Sequence, residues 1–208
     1  MTQVVRLTAA KWAELLRQAE SAEGGDSFVT AVAEKLRAPV RGTLLAVRGD
    51  VGAATRLLLT GDRALLVTEP VAQRGGDIAR SGDVQLSFVP VAELWPAIAA
   101  VLPPLEQLRA AAVAASRGRE VATAEPATAL LEREEANLQV RVEAWPGPES
   151  PSRVWARLWS VVDGRLLDVR TADGRVRLME RPAGAVAAEL EWALAGALAE
   201  VRDSARPA

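Results

Sequence analysis

The chain of 208 residues is half apolar and a quarter charged, and its 25 basic and 27 acidic groups leave a formal net charge of −2. It contains no His, no Cys and no Tyr. A Ser/His/Asp triad, a Cys/His pair and a histidine general base are therefore excluded, and a thiolate or imidazole zinc site with them. We expect no enzymatic activity, no metal and no cofactor.

Other classes fall on charge and patterning. Only Lys11 and Lys35 are Lys among the basic residues, and no block of five or six like charges stands out, which argues against nucleic-acid binding. The first residues, MTQVVRLTAAKWAELL, lack the basic segment, apolar run and small-residue cleavage site of a secretory signal, and no stretch has the length needed to span a bilayer. The expectation is a cytoplasmic protein that does not engage membranes.

In chain order, Trp12, Leu15, Leu16 and Ala19 recur on one face of a predicted helix over about Thr8 to Ala22, stopped by Gly24-Gly25. Ser27 can cap a second helix with Phe28, Val29, Val32 and Leu36 as its stripe, ended before Pro39. From Gly42 the pattern becomes extended: TLLAVRG, TRLLLTGDRALLV and VQLSFVP, with a hairpin turn at Thr60–Arg63. The Gly-rich stretch VAQRGGDIARSG between Pro70 and Asp83 reads as a long mobile loop. Helix follows in VAELWPAIAAVLPP, restarted or kinked at Pro96, and again from Pro104 to about Ser116. A linker and a short helix beginning at Pro126 lead into the second half, and Glu132, Glu134 and Glu135 form that helix's solvated surface.

The second half repeats the first. LQVRVEAW stands where GTLLAVRG stood, VWARLWSVVDGRLLDV parallels ATRLLLTGDRALLV, and VRLMERP parallels VQLSFVP, each Pro being followed by a helix. Asp163-Gly164 and Asp173-Gly174 supply the turns. The fold class is α+β: a pseudo-two-fold duplication of antiparallel units, each of about four strands and a helix, with additional helices, joined into one sheet or two packed sheets. The organisation is an N-terminal helical segment (1–38), a first half (39–116), a linker with a short helix (117–136) and a second half (137–208).

Parity in the second half nominates a surface. If Val154, Ala156 and Leu158 face the core, Trp155, Arg157 and Trp159 share the opposite side, a combination that suits protein recognition, with Arg141 and Arg177 as rim charges. The competing reading is that helix covers the two indoles, because Trp is highly buried on average. The Arg48-Gly49-Asp50 tripeptide reads as a strand-ending turn, and Gly24-Gly25 and Gly75-Gly76 as turns without a phosphate-loop ending.

The stretches RALLVTEP, VQLSFVPVAELWPAIAAVLPP and VVDGRLLDVRTADGRVRLMERPAGAVAAEL, over roughly residues 40–200, resemble the EspG family of actinobacterial type VII secretion chaperones. The shared layout is a strand, a Pro and a helix ending in Leu-Pro-Pro in the first half, then an Asp-Gly-Arg hairpin, a strand and a terminal helix in the second. That resemblance implies a cytosolic chaperone, monomer or homodimer, that binds a helical PE/PPE-like secretion substrate and has no catalytic residues. Two alternatives stand beside it: a small-molecule binder or cryptic enzyme with a cavity between the halves, and a structural component of a larger assembly.

Overall fold

Short turns with positive φ fix most of the strand pairings. Asp163 and Gly164 have φ of 50° and 70°, and Asp173 and Gly174 have 52° and 72°. Two left-handed residues in succession are the type I′ geometry whose twist matches that of the strands it joins. Gly49, at φ 58°, turns the chain after Arg48, so the Arg-Gly-Asp tripeptide is the end of a strand.

The computed structural model describes residues 2–21, 26–74, 77–114, 118–121, 126–147 and 149–205. The first half runs β1 (Gln3–Leu7), α1 (Ala9–Ser21), α2 (Ser27–Leu36), β2 (Val40–Arg48), β3 (Val51–Thr60), β4 (Arg63–Arg74), β5 (Asp77–Arg80), β6 (Val84–Pro90), a 3-10 turn over Val91–Glu93, α3 (Leu94–Val101) and α4 (Glu106–Arg109). After β7 (Arg119–Glu120) and α5 (Ala127–Leu131) come β8 (Glu134–Ala144), β9 (Arg153–Val162), β10 (Arg165–Ala172), β11 (Arg175–Arg181) and α6 (Ala185–Ser204). The class is α+β, as expected.

All eleven strands lie in one antiparallel sheet of order β1-β6-β4-β3-β2-β8-β9-β10-β11-β7, with β5 paired to β4. The order reads alike outward from the β2–β8 pair: each half contributes a three-strand meander and a fourth strand followed by a helix. Along β2–β8 the register places Val40, Gly42, Leu44 and Ala46 opposite Ala144, Val142, Val140 and Leu138, so apolar side chains of both halves stand on one face.

That first face carries the main core. Helices α3, α4 and α6 bury Leu44, Leu57, Leu59, Leu66, Leu138, Val140, Val161 and Leu166 under Leu94, Ile98, Leu108, Val186, Leu190 and Leu194. Among the described residues the second face is covered only at its two ends. At one, α1 and α2 set Trp12, Leu15 and Val32 on Leu58, Leu65, Val67, Val84 and Leu86. At the other, α5 sets Leu130 on Val162, Leu167 and Leu178.

Several local expectations change. The first strand and the two-residue β7 were not legible as strands. The cap of α2 is Asp26, whose side chain accepts from the Phe28 N–H, in place of Ser27. Pro96 neither kinks nor breaks a helix: it occupies the first turn of α3, where a missing N–H leaves no bond unmade. The stretch from Pro70 to Asp83 is no irregular loop. Strand β4 continues through it and β5 returns, with Val71 opposite Arg80 and Gln73 opposite Ile78. A cross-sheet ion pair fastens the return strand, since the buried Glu69 carboxylate receives Arg56 at 3.0 Å on one oxygen and Arg80 at 2.5 Å on the other. Gly24-Gly25 and Gly75-Gly76 lie outside the described residues.

The Ala-rich segment after Pro104 holds only four helical residues, Glu106–Arg109, before Ala110 turns extended at ψ 144°. The reason lies at the start of α6, where Gly184 has φ 87° and a Cβ would fall on the Ala111 carbonyl oxygen. The Ala111 carbonyl and Val113 lie against that glycine, and tertiary contact overrides the propensity of Ala. Helix α5 also stops early, at Leu131. Glu134 opens β8 and accepts from Asn137 at 2.7 Å and from the Ser160 hydroxyl, while Glu135 accepts from the Gly164 N–H at 2.8 Å. Glu134 and Glu135 brace β8, β9 and the β9–β10 turn and are not a helix surface, whereas Glu132, at the C-cap of α5, is exposed as expected.

Two stability measurements check this packing. Trp159 is fully buried on the first face, whereas Val154 on the same strand is 47% exposed on the second. Urea unfolding of Trp159→Ala should show a loss of about 3–5 kcal/mol, against about 0.5 kcal/mol or less for Val154→Ala; comparable losses would contradict the assignment of faces. Gly184→Ala should cost about 1–3 kcal/mol through its positive φ and the displaced Ala111 carbonyl, and an unchanged midpoint would show that the junction is not tightly packed.

Candidate docking face

The middle of the second face has no described helix on it. Between the ends covered by α1–α2 and by α5, strands β2, β8, β9 and β10 floor an open groove of about 660 Å³. Two cross-strand rows make the floor. One runs Leu45, Gln139, Leu158 and on to Val169; the other runs Thr43, Arg141, Ala156 and on to Thr171. Val154 extends the second face along β9. The surface is therefore mixed, with aliphatic side chains in the centre and hydroxyl, amide and guanidinium groups among them.

At the α2 side the groove continues into a hollow of about 240 Å³ lined by Leu36, Arg41, Thr43, Arg56, Leu58 and Glu143. The polar groups here are already organised. Arg141 donates through Nε to Glu143 at 2.5 Å, the Trp145 indole N–H donates to the other carboxylate oxygen at 3.0 Å, and the Arg41 guanidinium lies 4.6 Å over the Trp145 ring. Partial burial pushes the Glu143 carboxyl up, but the hydrogen bonds from Arg141 and Trp145 and the charges of Arg141 and Arg41 outweigh it. They hold the group below the usual carboxylate range, so it stays ionised and keeps Arg141 in place.

The structure separates the five residues nominated from the sequence. Arg141 lies on the floor of the groove. Trp155, Arg157 and Trp159 lie on the opposite, first face, beneath α6, because their cross-strand partners Val142, Val140 and Leu138 belong to the main core. Parity within β9 was read correctly, but the side that meets helix was reversed: Val154 and Ala156 are exposed and Leu158 half-buried on the open face. The two indoles sit 5.9 Å apart, and Arg157 stacks 5.4 Å from Trp155 while pairing with Glu189 of α6 at 3.3 Å. Glu189 also receives Arg181 at 2.6 Å, so this cluster holds α6 to the sheet and leaves no indole surface for a partner. Arg177 is exposed near the far end of the sheet, opposite Arg170 and on the first face, away from Arg141.

The residues that replace them, Thr43, Leu45, Gln139, Ala156, Leu158 and Thr171, carry one legible signal. The β9 row that holds Val154, Ala156 and Leu158 continues into Ser160, whereas the row with both indoles continues into Val161. The row with the smaller side chains is the thinly covered one up to Leu158, and Ser160 is buried.

A second hollow, of about 350 Å³, lies on the first face between α3 and α6, lined by Leu94, Trp95, Ile98, Leu190, Leu194 and Leu198. Asp168, fully buried in β10, accepts twice from Arg170 on one oxygen, and that interaction raises the arginine further above its ordinary range. Among the described residues no group of three or more acidic side chains is placed to hold a metal ion. No described helix is long and apolar enough to cross a membrane.

No protein-family profile matches the sequence, and no curated protein matches it. Among solved structures the fold is similar to that of the Mycobacterium tuberculosis type VII secretion system chaperone EspG5, solved in complex with the PE25–PPE41 dimer, with a TM-score of 0.55 and 13% sequence identity over 94% of this chain and 96% of that one. At this identity the likeness is one of fold, and it extends over nearly the whole of both chains.

Proposed function

We propose that this chain is a non-enzymatic cytosolic chaperone-like protein that holds a helical protein segment, of the kind found in PE/PPE-like type VII secretion substrates, on the open face of its sheet. The observation that carries the reading is the gap in the helical layer of the second face. Four strands at about 4.8 Å spacing give a floor about 14 Å wide, and an α-helix with its side chains is about 10–12 Å across. A helix laid between α2 and α5 completes a layer that the described residues leave unfinished. Leu45, Leu158 and Val169 would meet its apolar stripe, while Gln139 and Arg141 fix its register through polar contacts. The near full-length fold likeness to a chaperone solved in complex with a PE25–PPE41 dimer supports the same reading.

A small-molecule or catalytic role finds less support. The halves join edge to edge through β2–β8 and do not face each other across a cleft, and the groove is an open surface without buried convergent polar groups.

The test uses a purified PE/PPE-type helical pair from the same host and calorimetric titration. Ala156→Arg and Leu158→Glu should each weaken binding by about 2 kcal/mol or more, roughly thirtyfold, while leaving stability within about 1 kcal/mol. Undiminished binding by both variants would move the partner off this face and overturn the proposal.

A further inference from the structure

The sheet ends differently on its two sides. At one end β11 is capped by the two-residue β7, and the Val121 N–H adds one more bond to the Leu178 carbonyl, so the terminal strand is too short to template another chain. The protruding β5 is bracketed by Asp77 and by Arg80, which is bound to Glu69. The remaining edge, β1, has five residues, QVVRL, with no Pro and one charge. Its inner side pairs with β6 from Gln3↔Phe88 to Leu7↔Val84, and no described strand pairs with its outer side. Val5 and Leu7 pack on the second face against the α1–α2 core, while Val4 is 52% exposed on the first.

Independently of the docking face, we propose that β1 is a self-association edge: a second copy of this chain pairs with it antiparallel about Val5, extending the sheet across a two-fold axis. The strand is its own complement in that register. Val5 meets Val5, Gln3 meets Leu7, and Val4 meets the aliphatic stem of Arg6, so no like charges face one another. Charge complementarity selects the same register. Glu93, in the 3-10 turn after β6, receives the Thr2 hydroxyl at 2.6 Å, which places its carboxylate over the start of β1 on the first face. Thr2, Val4 and Arg6 share that face by parity. Antiparallel pairing brings the second copy's Arg6 opposite Val4, about 7 Å along the strand from Thr2 and within reach of Glu93. Arg6 has no ion-pair partner among the described residues, and the two-fold gives it one twice. A five-residue edge with two flanking ion pairs is a small interface, which fits a weak, concentration-dependent dimer.

Sedimentation velocity on the purified chain tests this. Between ~5 µM and ~500 µM the weight-average mass of the wild type should climb from the 22.1 kDa monomer toward twice that value. Arg6→Glu and Glu93→Arg should each stay monomeric over the range, and the double variant Arg6→Glu/Glu93→Arg should recover association, with circular dichroism confirming that all are folded. A wild type that remains monomeric, single variants that associate as it does, or a double variant that fails to recover would each overturn the proposed edge.

Discussion

The antiparallel ladder between β2 and β8 is the constraint on which the rest of this molecule depends. It joins the edges of two meanders that would each expose an open strand, and its register sets Val40, Leu44 and Ala46 beside Ala144, Val140 and Leu138 on a single face. Once those positions share a face, one core must serve both halves. Helix α6 covers residues from β2, β8 and β9 alike, and α3 and α4 close the same layer from the first half. Shifting this one pairing by a residue would turn every one of these side chains toward solvent.

The asymmetry between the two faces follows from where the helices are spent. Both strand-following helices, α3 and α6, pack on the first face. Of the described helices, the second face receives only α1 and α2, which precede the first meander, and the short α5, which precedes the second. These lie over the ends of the sheet, and the centre is left to side chains that tolerate water: Thr43, Gln139, Arg141, Ala156 and Thr171 around a few aliphatics. A helical partner on that floor would complete the layer, and the ionised Glu143 that braces Arg141 would keep the polar rim organised before a partner arrives.

Much of this architecture was legible because it is written in local chemistry. Asp-Gly turns, alternation along β8 and a Pro before α3 and before α6 mark the central strands and the direction of each meander, whereas β1, β5 and β7 were not legible. What was not legible was set by contacts between distant segments. Ala110 to Val113 read as helix, yet the chain leaves the helix at Ala110, and Ala111 and Val113 meet Gly184. Strand β4 continues past Pro70 along β3 as far as Ala72 opposite Val51, and Glu69 ties Arg56 and Arg80 across it, pairings that no window of sequence displays. The reversal at Trp155 and Trp159 has the same origin. Alternation shows that they share a face with Arg157, but which face α6 covers is decided by the register of β8 against β9, across an intervening segment whose length does not specify it. The smaller side chains of the other row, Val154, Ala156 and Leu158, were the available clue.

Because the chain contains no Cys, a thiol placed at one position reports on that position alone. The most direct test of the two-faced account is the maleimide labelling rate of Ala156→Cys and Val161→Cys, measured in the free protein and in its complex with the helical partner pair. The account predicts fast labelling at 156 in the free protein, strong protection there in the complex, and negligible labelling at the fully buried position 161 in both states. Rapid labelling at 161 in the folded protein, or labelling at 156 that the partner leaves unchanged, would contradict it.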